Sequence, residues 1–151
     1  LILSTNSKFN SITDLLLYLA SRSENIELIK KNYKKRIILI DRFVDSTLAY
    51  QHYGMGIDKK LITNINNFLL KGIKVDFTFV NTVNNKNLSV RLNKRKKLNR
   101  YDKFKNEFYK KVQKGFLIIS KKKINKYLIV NSNQDIDLNK KIIINEIKRL
   151  I

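Results

Sequence analysis

Apolar positions along the chain follow two alternating rhythms. Between residue 14 and about residue 32, Leu15, Leu16, Leu19, Ile26 and Ile29 recur close to every 3.6 residues. This spacing predicts a helix capped by Ser11 or Thr13. The continuous apolar run Ile37-Ile38-Leu39-Ile40 follows Lys34-Lys35-Arg36 and predicts a buried strand. Residues 46–51 read as a turn entering a short helix, and 52–56 as a loop holding Gly54 and Gly56. Asp58 can cap a second long helix, with Leu61, Ile62, Ile65, Phe68 and Leu69 on one face and Gly72 at its end. A strand is expected over about 75–82. A helix then runs from about Asn87 through Val90 and Leu92 into a basic stretch. Residues 102–121 predict another helix, its buried stripe Phe104, Phe108, Val112, Phe116 and Ile119. A strand over 127–130 and a helix over about 138–150 complete the pattern.

Short apolar strands alternating with long helices define an α/β class, a parallel sheet covered by helices on both faces and joined by right-handed crossovers. No Pro/Gly/Ser linker, repeat or low-complexity segment divides the 151 residues, which read as one domain over 1–151.

Composition narrows the chemistry. At 43% apolar residues the chain can bury a sizeable core. It contains no apolar run long enough to span a bilayer, and no signal-peptide pattern. The absence of cysteine excludes disulfides, thiolate catalysis and Cys-type zinc sites, and a lone His52 cannot build a His-rich metal site. These features point to a cytoplasmic protein. The net charge of +20 and pI near 10.2 allow nucleic-acid binding. They equally fit a proteome rich in lysine, asparagine and isoleucine, and that reading is preferred. Lysines spread from Lys8 to Lys148, and the one dense basic run, Lys94-Arg95-Lys96-Lys97, lacks the interleaved aromatics of a stacking platform. The chain starts at Leu1, its one methionine is Met55, and Leu1-Ile2-Leu3-Ser4 reads as the end of a helix. The expectation is a carboxyl-terminal part of a longer protein.

The run Asp41-Arg42-Phe43-Val44-Asp45-Ser46-Thr47-Leu48-Ala49-Tyr50-Gln51 carries the most chemistry. An acid and an arginine at the carboxyl end of a buried strand stand where open α/β sheets bind ligands. Arginine offers a bidentate fork for phosphate. The Ser, Thr, Tyr and Gln that follow can hydrogen-bond a sugar and a base.

This run resembles the DR(Y/F)-x-x-S-x-x-A-Y motif of thymidylate (dTMP) kinases. Three further stretches resemble that family in the same order. Leu15-Leu16-Leu17-Tyr18-Leu19-Ala20-Ser21-Arg22 is similar to its L-L-[FY]-x-A-x-R helix, with Tyr18 and Arg22 on one face. Taken alone, it also fits an ordinary helix with Tyr18 in the core and Arg22 in water. Val75-Asp76-Phe77-Thr78-Phe79-Val80-Asn81-Thr82-Val83 resembles a P-D-L-T-x-x-L-D-V strand, with Val75 in place of proline and Asn81 in place of aspartate. Arg91-Leu92-Asn93-Lys94-Arg95-Lys96-Lys97-Leu98-Asn99-Arg100-Tyr101-Asp102 resembles the R-x-x-x-R-x-x-x-D-R-[FI]-E lid, spanning about 91–103, with Asn99 for aspartate and Asp102 for glutamate.

The resemblance implies a P-loop kinase-like fold and transfer of phosphate from ATP to dTMP, giving dTDP, with Mg²⁺. It implies that Tyr18 stacks on thymine and Arg22 bonds a base carbonyl. Arg42 would hold the dTMP phosphate, with Asp41 near Mg²⁺ or its waters. Thr47 and Gln51 would touch the nucleoside, and Tyr50 would pack where a 2′-hydroxyl would project. Arg91, Arg95 and Arg100 would be lid arginines, the last two acting on the transferring phosphate together with Asp41 and Arg42. A homodimer through helices 14–32 and 58–71 is implied for the full-length protein, with no membrane and no nucleic-acid partner. A deoxynucleoside kinase, a basic nucleic-acid-binding module and an inactive remnant are the alternatives.

The family's opening strand and G-x-x-x-x-G-K-[ST] loop have no counterpart among the glycines Gly54, Gly56, Gly72 and Gly115. A βαβ-type segment of about 50 residues would supply them. Without that strand, the strands at 37–40 and 75–82 would expose unpaired inner edges. The chain alone is therefore expected to be unstable or aggregating, and not to catalyse phosphoryl transfer.

Overall fold

Asn10, not Ser11 or Thr13, opens the first helix. Its side-chain oxygen accepts the Thr13 amide and caps α1, Ser11–Asn32. The structure is a computed structural model that describes residues 2–151. Ile2 and Leu3 form a turn rather than the end of a helix, and Leu1 lies outside the described residues. The chain divides into two units. One takes residues up to Val75 together with Leu98–Phe116; the other takes Asp76–Lys97 and Leu117–Ile151.

The first unit is built on α1. Leu15 and Leu19 pack with Ile57 and with Ile62 of α3, Lys59–Leu69, to form the core, and Leu48, Ile65 and Leu69 close over it. Asp58 caps α3 as expected by accepting the Leu61 amide. The buried face of α3 is turned from the expected one. Ile62 and Asn66 are buried, whereas Leu61 and Phe68 face solvent. Between α1 and α3 the chain forms a short helix α2, Val44–Thr47, which runs into a π-helical segment, Leu48–Gly54. Helix therefore continues through residues expected to be loop. The Ile57 amide donates to the Gln51 carbonyl and the Gly56 amide to the His52 carbonyl, and these bonds end it.

The expected strand at 37–40 does not form. The segment is unpaired, and Ile37 and Leu39 are largely exposed, at 66% and 80%. A strand needs a neighbour to take its N–H and C=O groups. Among the described residues the only sheet has two strands, and those pair with each other.

That sheet is in the second unit. β1, Thr78–Thr82, and β2, Tyr127–Asn131, run parallel with Val80 opposite Ile129, and Val80 and Val130 are buried. β1 starts three residues later than the apolar pattern suggests. α4, Asn85–Asn93, follows β1, and α6, Ile136–Leu150, follows β2 under an Asp135 cap. α4 stops at Asn93, so the basic stretch is not helical. Asparagines tie the carboxyl ends of the strands together. Asn133 accepts from the Asn84 amide and from Asn87, and donates to Asn131.

α5, Asn106–Lys121, starts later than expected. Residues 101–103 form a separate 3-10 turn, and Phe104 is extended. Asn99 and Asp102 cap each other's amides at 2.9 and 3.1 Å, so asparagine can serve as the partner in that turn.

Two glycines set the approach of α5 to the π-helical segment. A Cβ on Gly54 would lie 2.6 Å from the Phe108 ring, and one on Gly115 2.6 Å from the Tyr53 ring and 2.8 Å from its Cβ. The Tyr53 Cβ cannot swing away, so Gly115→Ala must move backbone. Overpacking costs about 1–3 kcal/mol, against a helix gain of roughly 0.5–1 kcal/mol from replacing glycine. The expected outcome is a lower melting temperature for Gly115→Ala and no change for the exposed Lys114→Ala. A raised melting temperature in the first would show the close approach to be absent.

Candidate functional site

Three side chains at four-residue intervals, Asp14, Tyr18 and Arg22, lie along α1. The loop 41–43, the π-helical segment and the 3-10 turn at 101–103 complete the site, all within the first unit.

Its centre is an aromatic cluster. The Tyr101 ring meets Tyr18 at 6.2 Å, Tyr50 at 5.9 Å and Phe104 at 5.2 Å, each edge to face. Tyr50 also meets Phe108 at 5.8 Å and Phe116 at 6.4 Å. Arg42 reaches this cluster from outside. Its guanidinium carbon lies 4.9 Å from the Tyr50 ring centre, and Nη2 donates to the Tyr50 hydroxyl at 3.1 Å. Arg42 has φ +60°, the left-handed region that non-glycine residues seldom occupy. Strain of this kind gathers at functional sites, and here it falls on the arginine expected to hold phosphate. Asp41 beside it is exposed.

Arg22 is drawn inward. Nη1 donates to Asn66 at 3.0 Å, Nη2 donates to the Phe43 carbonyl at 3.2 Å, and the Phe43 ring lies 5.7 Å away. Burial lowers its pKa to about 10, an effect the charge of Asp45 opposes, and it remains a cation at neutral pH. Thr47 and Gln51 are buried at 2% exposure each, and the Gln51 amide nitrogen has no hydrogen-bond partner among the described residues.

Arg100 is the most tightly held of the predicted residues. Nη1 donates to both oxygens of the fully buried Asp14 carboxylate, at 2.7 and 2.9 Å, and Nη2 donates to the Phe9 carbonyl at 2.7 Å. The Tyr101 hydroxyl donates to Asp14 at 3.4 Å. Arg91 and Arg95 belong to the second unit. Arg91 donates to the Ser132 carbonyl after β2, and Arg95 is exposed beyond α4.

The structure thus gathers Tyr18, Arg22, Arg42, Thr47, Tyr50, Gln51 and Arg100 in the first unit. Asp14, Asn66 and Tyr101 are further participants that sequence reasoning missed. Asp14 and Tyr18 sit at i and i+4, and an acid placed beside the apolar Leu15 and Leu19 was the available signal. Asn66 sits four residues after the buried Ile62 and carried a similar one.

The sequence model of the thymidylate kinase family matches residues 1–143. The thymidylate kinase of Sulfurihydrogenibium sp. is 34% identical over 146 residues, covering 95% of this chain and 71% of that protein. The thymidylate kinase of Trichodesmium erythraeum is 37% identical, covering 76% of this chain and 52% of that protein. The crystal structure of thymidylate kinase from Ehrlichia chaffeensis superposes with a TM-score of 0.70 at 31% identity, over 96% of this chain and 68% of that one. The chain therefore spans between about half and about seven tenths of the length of these relatives.

Burial pushes the Tyr18 hydroxyl above its usual pKa, against a hydrogen bond with Tyr101. Tyr101 rises further, through burial first, then the nearby Tyr18 and the negative charge of Asp14. The folded protein therefore keeps protons that the unfolded chain loses near the usual value of 10.0. The stability this gives is fully present below pH 10 and is lost as pH rises beyond it. Spectrophotometric titration of the native protein should show Tyr101 ionising only as it unfolds, a signal that Tyr101→Phe removes. Tyr101 ionising near 10.0 in the folded state would contradict the cluster.

Proposed function

This chain belongs to the thymidylate kinase family, and on that premise we propose that it carries the acceptor-nucleotide site of an enzyme transferring the γ-phosphoryl group of ATP to dTMP. In that reaction an oxygen of the dTMP phosphate bonds to the γ-phosphorus, the bond to the β–γ bridging oxygen breaks, and ADP leaves with that electron pair as dTDP forms. The observation that carries the reading is the convergence of Tyr18, Tyr50 and Arg42 on one aromatic cluster, with Arg22 one turn from Tyr18 on α1.

Each side chain has a fitting task. Tyr18 offers a flat surface to thymine. Arg22 keeps donors beyond the two given to Asn66 and Phe43, suited to a base carbonyl. Arg42 can exchange the weak acceptor it now holds, the Tyr50 hydroxyl, for phosphate oxygens, which bind a guanidinium more strongly. Tyr50, held on the π-helical segment, faces the sugar. Thr47 lines the same buried segment, and a nucleoside acceptor would satisfy the orphan Gln51 amide. Arg95 and Arg91 act as lid arginines, and Arg100 anchors the lid's end.

Magnesium accepts one or two carboxylates plus phosphate oxygens and water. The exposed Asp41 beside Arg42 is a ligand of that kind, and among the described residues no cluster of three or more metal-binding side chains competes with it. When bound, the ion would neutralise charge on the transferring phosphate. The sequence contains no G-x-x-x-x-G-K-[ST] loop, so these 151 residues are expected not to turn over ATP.

Isothermal titration tests the reading. The chain should bind dTMP more tightly than thymidine. Arg42→Gln should weaken dTMP about 10- to 100-fold, the loss of one charged hydrogen bond of about 1.5–3 kcal/mol, and leave thymidine unchanged. Equal affinity for the two ligands would end the monophosphate assignment. Tighter binding of thymidine would instead support a deoxynucleoside kinase.

The proposed assembly is a homodimer in the cytoplasm, where soluble nucleotides are found. Among the described residues no helix is long and apolar enough to cross a membrane. Leu16 and Leu28 on α1 and Phe68 on α3 stand 55%, 60% and 78% exposed, and support an interface there. Sedimentation should give a dimer that Phe68→Asp dissociates. A monomer at all concentrations would remove this interface.

A further inference from the structure

We propose that Asp14 is a positioning residue for the acceptor site, acting through Arg100 and Tyr101 and never touching the nucleotide. The proposal rests on the reading of Tyr18 and Tyr50 as nucleotide-facing rings.

An aspartate in the first turn of a helix ordinarily faces water, where it favours the helix dipole. Asp14 is instead fully buried. Burying a carboxylate with a guanidinium gives no clear stability advantage over an apolar pair of similar volume. What the pair gives here is direction. One guanidinium nitrogen bonds both Asp14 oxygens, the other bonds the Phe9 carbonyl, and the Arg100 backbone amide donates to the Leu3 carbonyl at 3.1 Å. Arg100 is therefore fixed at its backbone and at both ends of its fork, with its side chain 17% exposed.

Tyr101 follows directly and inherits that placement. Its hydroxyl meets the same carboxylate at 3.4 Å, and the Tyr109 hydroxyl donates to its carbonyl at 2.7 Å. Its ring is the one that Tyr18 and Tyr50 both meet, at 6.2 and 5.9 Å. Asp14 and Tyr18 stand one turn apart on α1, so carboxylate and ring move together. Asp14 thereby sets the ring that supports both nucleotide-facing rings, joining residues 86 apart in sequence.

The test uses the full 151-residue chain. The double variant Asp14→Leu/Arg100→Met replaces the ion pair by apolar side chains of similar volume. It should melt cooperatively near the parent temperature, yet bind dTMP at least tenfold more weakly and lose near-ultraviolet tyrosine dichroism. Parent affinity and parent dichroism in that folded variant would overturn the proposal and leave a purely structural ion pair. Tyr101→Leu covers the case in which the double variant does not fold, because it keeps the ion pair and removes the shared ring. At least fivefold weaker dTMP binding is expected there, and unchanged binding overturns the proposal. If the parent chain binds no dTMP, the acceptor-site reading fails rather than this one. The dichroism of the double variant still decides the positioning role: its loss supports that role, and its retention overturns it.

Discussion

The buried ion pair between Asp14 and Arg100 joins the start of the first helix to a turn 86 residues away, and the first unit's chemistry is arranged around it. A charge removed from water must be met by its partner at close range and by further hydrogen bonds, or the cost exceeds the attraction. Here the carboxylate receives two bonds from one nitrogen and a third from Tyr101, while the second nitrogen is taken by a carbonyl. Satisfying these groups leaves the adjoining backbone little freedom. The aromatic cluster then packs against a fixed ring, and Tyr18 and Tyr50 take edge-to-face positions on it.

Local strain sits on the other side of the same cluster. The left-handed backbone of Arg42 costs about 1–2 kcal/mol. Its contact with the Tyr50 ring returns about 0.5–1 kcal/mol at an exposed site. The hydrogen bond to the Tyr50 hydroxyl adds about 0.5–1.5 kcal/mol. The terms nearly balance, so Arg42 is held in place without being locked, and a phosphate can draw it away from Tyr50. Tyr50 lies on a π-helical segment, a rare conformation that recurs at functional sites. Gly54 and Gly115 give that segment room to lie close to α5.

Much of this was legible in the chain. The 3.6-residue rhythm located α1, α3 and the body of α5, because their apolar stripes are continuous. The motif residues Tyr18, Arg22, Arg42 and Tyr50 were named from the family resemblance; the fold brings Tyr18, Tyr50 and Arg42 to one cluster and turns Arg22 onto Phe43 and Asn66. Failures came where local pattern depends on distant partners. Ile37–Ile40 has the composition of a buried strand, but strand formation is decided by a neighbour that composition cannot report. Asn10 won the cap of α1 over Ser11 and Thr13, three polar candidates within four residues that propensity cannot separate. Phe68 reads as core by period and faces solvent, a choice made by what packs on α3. Asp14 went unmarked because its partner, Arg100, lies far along the chain.

As proposed, the first unit is a nucleotide acceptor site whose rings are preset and whose arginine is movable. A crystal structure of this chain with dTMP should show thymine stacked on Tyr18, the phosphate on Arg42 with its bond to Tyr50 broken, and Asp14, Arg100 and Tyr101 unmoved. A nucleotide bound elsewhere, or a Tyr101 ring displaced to admit it, would rule out a preset acceptor site in the first unit.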